Sequence, residues 1–394
     1  MFRQKIKLAF KLKKSVLALG AQTKNRICFA QGCHAYLGRL RADLGDPDDF
    51  GAFVREAQYY LKKKPKIIAC DLHPEYQSTK YAADLSRHPY PLSRIQHHHA
   101  HIVSCMAENG LKNQKVIGVA FDGTGLGSDH TLWGSEFTVC DYKNFQRKAH
   151  LKEVPLLGGE RAILEPWRTS AFWLYLIYKD KFLDLKIRWI KNITRSQWPV
   201  LKSMYLKQLN SPPASSMGRL FDAAASLILS KHKANFEAQL AMELEKTASG
   251  YAIRNTDDGI VRSEAKPPRR GRATKYGFKI IKNKGGYIID PLPMFRQIVA
   301  DLKTKETKAK MAYSFHLTVA EMVRRVCLLL GKENRVNKVV LSGGVFQNNL
   351  LLGLVLGLLY KEGFQIFRQR DLSCNDSGIA LGQAAVAAFS RQKD

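Results

Sequence analysis

Four histidines fall within five positions of the segment QHHHAHIVSCMAENG (96–110). His97 and His101 are four apart, so on a helix both imidazoles project from one face about one turn apart, the arrangement a single metal ion needs. Ile102, Val103 and Met106 mark the buried face of that helix, and Asn109-Gly110 marks its C-terminal stop. His98 and His99 point elsewhere, behind the ligands or toward solvent. The alternatives to a metal are a hydrogen-bonded structural cluster and a basic patch facing phosphate.

Three further segments carry chemistry. In VIGVAFDGTGLGSDHTLWGSE (116–136), Asp122 closes an apolar strand and Gly123, Thr124, Gly125 and Gly127 follow. Glycines let backbone N–H groups approach a phosphate, and a strand-end carboxylate can bind the cation that accompanies it. The alternative is a hairpin with an ordinary glycine-rich turn. In KVVLSGGVFQNN (338–349), Ser342, Gly343 and Gly344 make a turn poor in side chains, suited to a flat adenine or a ribose. In CNDSGIALGQAAVA (374–387), Asp376 precedes a helix of small residues, where it is either an N-terminal cap or a ligand brought to the histidines by the fold.

The elements that must position these groups read as α/β. SVLALGA (15–21), RICFAQG (26–32), KIIACDL (66–72) and VIGVAFD (116–122) are buried strands, and DPDDFGAFVREAQYYLKKK is a helix with acidic residues at its start and basic ones at its end. VIGVAFDGTG and TLWGSEFTV pair as a hairpin, 166–248 is largely helical, and NKVVLSGGVF is a buried strand entering a glycine turn. Two α/β lobes, 15–114 and 115–370, follow, ahead of a C-terminal segment, 371–394. Residues 1–14 form a basic leader with six basic and no acidic residues: a frayed end, an amphipathic helix at a membrane surface or a transit-like segment. KPPRRGRATK (266–275) reads as a solvated loop.

Composition sets the outer bounds. A chain of 394 residues, 45% hydrophobic and 25% charged, buries a real core, which excludes a disordered tail or a small disulfide scaffold. The seven cysteines are scattered, with no Cys-x-x-Cys pair, as expected of reduced thiols in a cytoplasmic protein. No window is long and apolar enough to span a membrane. The net charge of +29 attracts phosphates of any origin.

The ordered strings ALGAQTKN, DLHPEYQSTKYA, QHHHAH, VAFDGTGLG with TLWGSEF, EPWR, SSMGRLFDA, NFEAQLAMELE, and LSGGVFQNN with NDSGIALGQA are similar to those of the carbamoyltransferase domain of the hydrogenase-maturation factor HypF, from about Ser15 to Ala387. The resemblance implies a two-lobed, actin-like ATPase fold of ribonuclease-H-like lobes, with nucleotide and metal in the cleft between them. It implies His97, His101, Asp122 and Asp376 as ligands of an iron or zinc ion, with His97, His101 and Asp122 also catalytic. Lys24 and Asn25 then fall in a first phosphate hairpin, and Gly123, Thr124 and Gly125 in a second. Gly218 and Asp222 fall on the ribose side, and Gly343, Gly344 and Asn348 in an adenosine motif.

The implied cofactors are ATP, AMP or carbamoyl-adenylate, with magnesium as a further ion. The implied reaction moves a carbamoyl group from carbamoyl-adenylate to the C-terminal cysteine of a HypE-like partner. Because the resemblance begins within about 15 residues of Met1, no acylphosphatase, zinc-finger or YrdC-like module is expected. The adenylate would then come from a separate YrdC-like protein. Against the family pattern, Leu40 and Ala42 stand for a histidine and a glycine, and His130, Ser135 and Ala238 stand for glycines. A divergent paralogue acting on tRNA or a small molecule, and a non-catalytic nucleotide-binding protein, are the competing classes. The charge suits tRNA, whereas EPWR and SSMGRLFDA read as HypF-like.

Overall fold

The computed structural model describes residues 4–86, 90–193, 197–255 and 273–390. Over its described residues the basic leader forms no helix. Strand β1 (Gln4–Lys7) pairs antiparallel with the strand His34–Leu37, and Ile6, Leu8 and Leu12 are buried while Lys5, Lys7 and Lys11 stay exposed. Lysine on an outermost strand is a common way to blunt a sheet edge. After it come β2 (Val16–Ala18), β3 (Thr23–Asn25), β4 (Cys28–Gln31), β5 (His34–Leu37), β6 (Arg41–Asp43), α1 (Pro47–Leu61), β7 (Ile67–Asp71), α2 (Gln77–Leu85), β8 (Leu92–Ile95) and α3 (His97–Glu108). Helix α1 starts where expected because the Asp46 carboxylate accepts from the N–H groups of Asp48 and Asp49, with proline next in line. Helix α3 starts at His97 because the Gln96 side chain accepts from His99 N at 2.8 Å, and it stops at Gly110, whose φ is +64°.

The second half runs β9 (Val116–Leu126), β10 (Leu132–Cys140), β11 (Phe145–Leu151), β12 (Val154–Pro155), α4 (Arg161–Leu164), α5 (Trp167–Tyr178), α6 (Gln197–Leu206), β13 (Pro213–Ala214), α7 (Met217–Leu229) and α8 (Gln239–Asn255). It continues with β14 (Lys279–Asn283), β15 (Gly286–Asp290), α9 (Leu292–Lys303), α10 (Lys308–Asn334), β16 (Lys338–Ser342), α11 (Asn349–Lys361), β17 (Gln365–Arg368) and α12 (Ile379–Phe389). The expected hairpin is β9–β10, paired from Val116 opposite Cys140 to Leu126 opposite Leu132. Residues 266–272 of the predicted basic loop lie outside the described residues.

The first sheet has the order β1-β5-β4-β2-β7-β8 and the second contains β11-β10-β9-β16-β17. Setting β1 aside, both contain one pattern, three antiparallel strands followed by two parallel ones. Each sheet is therefore mixed, and the α/β class read from the sequence holds. Helices α1 and α2 cover the outer face of the first sheet, and α7 and α10 pack on the second. Between the sheets lie α3, against β9 and β16, and α12, against β2, β4 and β7. Gly382 of α12 lies directly on the Ala100 carbonyl of α3, where any Cβ would collide. The chain's last helix thus packs in a core shared with its first strands.

Candidate metal centre and its cleft

Helix α3 delivers His97 and His101 into the space between the sheets, β9 delivers Asp122, and the turn before α12 delivers Asp376. Their four donor atoms lie within 4.8 Å of one another. His97 Nε2 is 3.5 Å from Asp122 Oδ2 and 3.7 Å from Asp376 Oδ1, and His101 Nε2 is 3.6 Å from each. These separations are long for hydrogen bonds, and both Nε2 atoms are buried without a partner. Donors about 3.4 Å apart are what a tetrahedral ion with bonds of about 2.1 Å requires. An imidazole pair with two carboxylates suits iron or zinc, so the residues fit the ion that the resemblance implies.

Two of the four candidate ligands, His97 and Asp122, are held from behind. Asp71, at the end of β7, accepts from His97 Nδ1 at 2.8 Å through Oδ2 and from His73 N at 3.0 Å through Oδ1. A proton held on Nδ1 makes Nε2 the nitrogen that could bind a metal. Gly344 N donates to Asp122 Oδ1 at 3.2 Å, which leaves Oδ2 to the histidines. The cap of the following turn is Asn375, whose side chain accepts from Ser377 N at 3.1 Å, so Asp376 is free of the capping role the sequence also allowed. Gly125 lies so close to the cluster that a Cβ there would stand 2.8 Å from the rings of His97 and His98.

The electrostatics are those of two cations against two anions. Burial pulls His97 and His101 down, but carboxylates outweigh it, Asp71 and then Asp122 and Asp376 at His97, and Asp122 and Asp376 at His101; both rise above the ordinary histidine value, His97 well above. Despite burial, the same contacts hold Asp122 well below the usual carboxylate range and Asp376 down at about 2. A metal must displace protons from the imidazoles, so its binding weakens as pH falls.

His98 and His99 are buried, and neither faces solvent. His98 Nδ1 accepts from Gln96 Nε2 at 3.1 Å, and His99 Nε2 donates to the Asp141 carbonyl at 2.7 Å. Burial pushes both imidazoles down.

The remaining predicted residues fall into two groups. Gly123 abuts Gly218: a Cβ on Gly218 would sit 3.0 Å from Gly123 Cα, and Ser216, the cap of α7, donates to the Gly123 carbonyl. Strand β3, with exposed Lys24 and buried Asn25, packs on the turn carrying Asp376. Thr124 is half-buried on β9. Gly343 takes φ +99° against the Phe121 carbonyl.

Three polar side chains are turned to the protein itself. Asn25 Nδ2 donates to the carbonyls of Leu19 at 2.8 Å and Ala21 at 2.6 Å. Asp222 pairs with Arg219 at 3.0 Å, yet burial pushes its carboxyl up to about 6. Asn348 caps α11 through Leu351 N at 2.8 Å and donates to His316 Nε2 at 3.0 Å. Sequence reasoning missed Asp71, although a carboxylate closing an apolar strand is the signal that singled out Asp122. It also missed Gln383, buried on α12, whose side chain bonds both backbone groups of Gly20.

The fold and the interlobe cluster of two histidines and two aspartates define a Kae1-like carbamoyltransferase domain. The description "Carbamoyltransferase, Kae1-like Domain, second subdomain" matches residues 118–383, and "HypF Kae1-like domain" matches 11–108. The chain belongs to the HypF family. It is 34% identical over 383 residues to carbamoyltransferase HypF2 of Cupriavidus necator, covering 95% of this chain and 46% of that protein. A HypF homolog of the same organism is 34% identical over 379 residues, covering 95% and 91%. A crystal structure of full-length HypF in its phosphate- and nucleotide-bound form superposes with a TM-score of 0.86 at 36% identity, over 98% of this chain and 47% of the other. That of T. kodakarensis HypF gives 0.82 at 27% identity, over 98% and 49%. The chain therefore spans about half the length of most of these relatives and nearly all of one. Among the described residues no helix is long and apolar enough to cross a membrane.

Proposed function

We propose that this chain transfers a carbamoyl group from carbamoyl-adenylate to a cysteine thiol, that of the C-terminal cysteine of a HypE-like protein, in nickel-iron hydrogenase maturation. The observation that carries the reading is the convergence of His97, His101, Asp122 and Asp376 beside the glycine-lined hairpin of β9 and β10, in a member of a carbamoyltransferase family. The acceptor sulfur bonds to the carbamoyl carbon, the carbon–oxygen bond of the mixed anhydride breaks, the thiol proton is released, and AMP leaves with the electron pair. An iron or zinc ion held by the four ligands would supply Lewis acidity to the carbamoyl or phosphate oxygen, and magnesium would accompany a nucleotide.

The chain's own residues do the positioning. Asp71 fixes the His97 ring, and the N–H of Gly344 fixes Asp122. Gly123, Thr124 and Gly125 line the phosphate approach, with Lys24 and Asn25 on the facing lobe. Gly218 and Asp222 stand on the ribose side and Gly343, Gly344 and Asn348 on the adenine side. Within this reading the donor is supplied by a YrdC-like protein or module.

The test is to give the purified chain carbamoyl-adenylate and a HypE-type protein and to look by mass spectrometry for one carbamoyl group on the acceptor cysteine. Its appearance with wild type and absence with His97→Ala/His101→Ala is expected; no adduct with either protein contradicts the proposal. The net charge of +29 favours tRNA as the second acceptor to try. Binding to tRNA that persists above about 200 mM salt would support that arm, and steep loss with salt would mark it as charge alone.

A further inference from the structure

We propose that the outer face of the first lobe carries a second anion site, for a small phosphate monoester with an apolar or aromatic body. It goes beyond the transfer reaction and does not rest on it. A cavity of about 320 Å³ opens between the β5–β6 connection and α1, lined by Arg39, Arg41, Ala52, Arg55, Glu56 and Tyr59. Helix α1 packs on the outer side of the first sheet, whereas His97 and His101 project from α3 on its inner side.

The floor of this cavity is built. The Arg41 side chain is 4% exposed; its Nη1 donates to the Arg39 carbonyl at 3.2 Å, and its Nη2 to the Ala52 carbonyl at 3.1 Å and to Glu56 Oε2 at 2.5 Å. Gly38 permits this closeness, because a Cβ there would collide with the Glu56 carboxylate. Glu56 is thereby committed to Arg41, whose buried Nε still lacks a partner. Arg39 and Arg55 are exposed, and neither has an acidic partner among the described residues. Three guanidinium groups against one carboxylate leave a charge of about +2 around a concave space, and paired guanidinium forks match the oxygens of a phosphate.

Ala52 and Tyr59 lie on the same stripe of α1 as Arg55 and give the site an apolar wall for the body of the ligand. The volume is at the low end of ligand pockets, which sets a small molecule rather than a polymer.

The probes are phenyl phosphate and inorganic phosphate, titrated calorimetrically into the full chain at about 150 mM salt, where loose surface charge is screened. Arg39→Gln/Arg55→Gln, both exposed positions with Arg41 left intact, should weaken phenyl phosphate by about tenfold or more with an unchanged melting temperature. Tyr59→Ala should weaken phenyl phosphate and leave inorganic phosphate unaffected. Equal affinity in the double arginine variant, or no phenyl phosphate binding by wild type, overturns the site. Inorganic phosphate binding as tightly as phenyl phosphate, with no effect of Tyr59→Ala, would assign the cavity to free phosphate and overturn the monoester.

Discussion

Two hairpins occupy the same place in the five-strand portion that the two sheets share, yet one is closed by the protein and the other ends at the histidine–aspartate cluster. In the first lobe, Gly20 at the turn after β2 gives its N–H to Gln383 Oε1 at 2.8 Å and takes Gln383 Nε2 on its carbonyl at 3.2 Å. Asn25 ties the carbonyls of Leu19 and Ala21. In the second lobe the matching hairpin, β9–β10, ends its apolar run in Asp122, whose Oδ2 faces two unpartnered imidazole nitrogens. The topology is duplicated and the chemistry is not. The candidate ligands His97 and His101 come from helix α3, Asp122 from the hairpin and Asp376 from the turn before α12, and the helix layer between the sheets sets the distance between them.

That contrast can be broken residue by residue. The largest effect is expected at Asp122: Asp122→Ala should strip the metal while leaving the fold intact, whereas Asn25→Ala should keep the metal and destabilise. Two buried carbonyls lose their donor in Asn25→Ala, at about 1–3 kcal/mol for each. Metal analysis and denaturant titration of both variants check this, and metal loss in Asn25→Ala alone would reverse the assignment of roles. Next comes Gln383→Leu, which leaves the N–H of Gly20 unpaired inside the core and its carbonyl with Ser78 Oγ alone, at 3.1 Å. A loss of about 1–3 kcal/mol is expected, read as a lower denaturant midpoint.

The smallest effect concerns backbone strain at two positions of the second half. His130 and Ala238, where glycine was expected, have φ of +63° and +64°. An L-residue there costs about 1 kcal/mol, so His130→Gly and Ala238→Gly should each stabilise by about 0.5–1 kcal/mol, read as a raised melting temperature. Ser135 shows no such strain: its hydroxyl accepts from Leu151 N at 2.9 Å.

How much of this was legible in the sequence follows from the range of each interaction. His97 and His101 declare themselves because one helical turn is a local relation. Asp122 is legible as the polar end of an apolar run, and Asp71 carries the same sign. Asp376 was decidable only by folding, since its partners on α3 lie some 280 positions earlier in the chain. Its local signal was a cap, a role that Asn375 takes. Gln383 gave no sign at all, because a glutamine in a helix of small residues looks like a solvent contact until Gly20 is placed against it. The leader misled because its lysines outweighed the alternation of Ile6 and Leu8 with Lys5 and Lys7, a period-two pattern that β1 realises.

The central claim is that one ion joins the helix of the first lobe to the hairpin of the second. Elemental analysis of the purified chain loaded with iron or zinc, beside His97→Ala/His101→Ala, tests it most directly. The account predicts close to one ion per wild-type chain and none retained by the variant after dialysis. An equal metal content in the two proteins would contradict it.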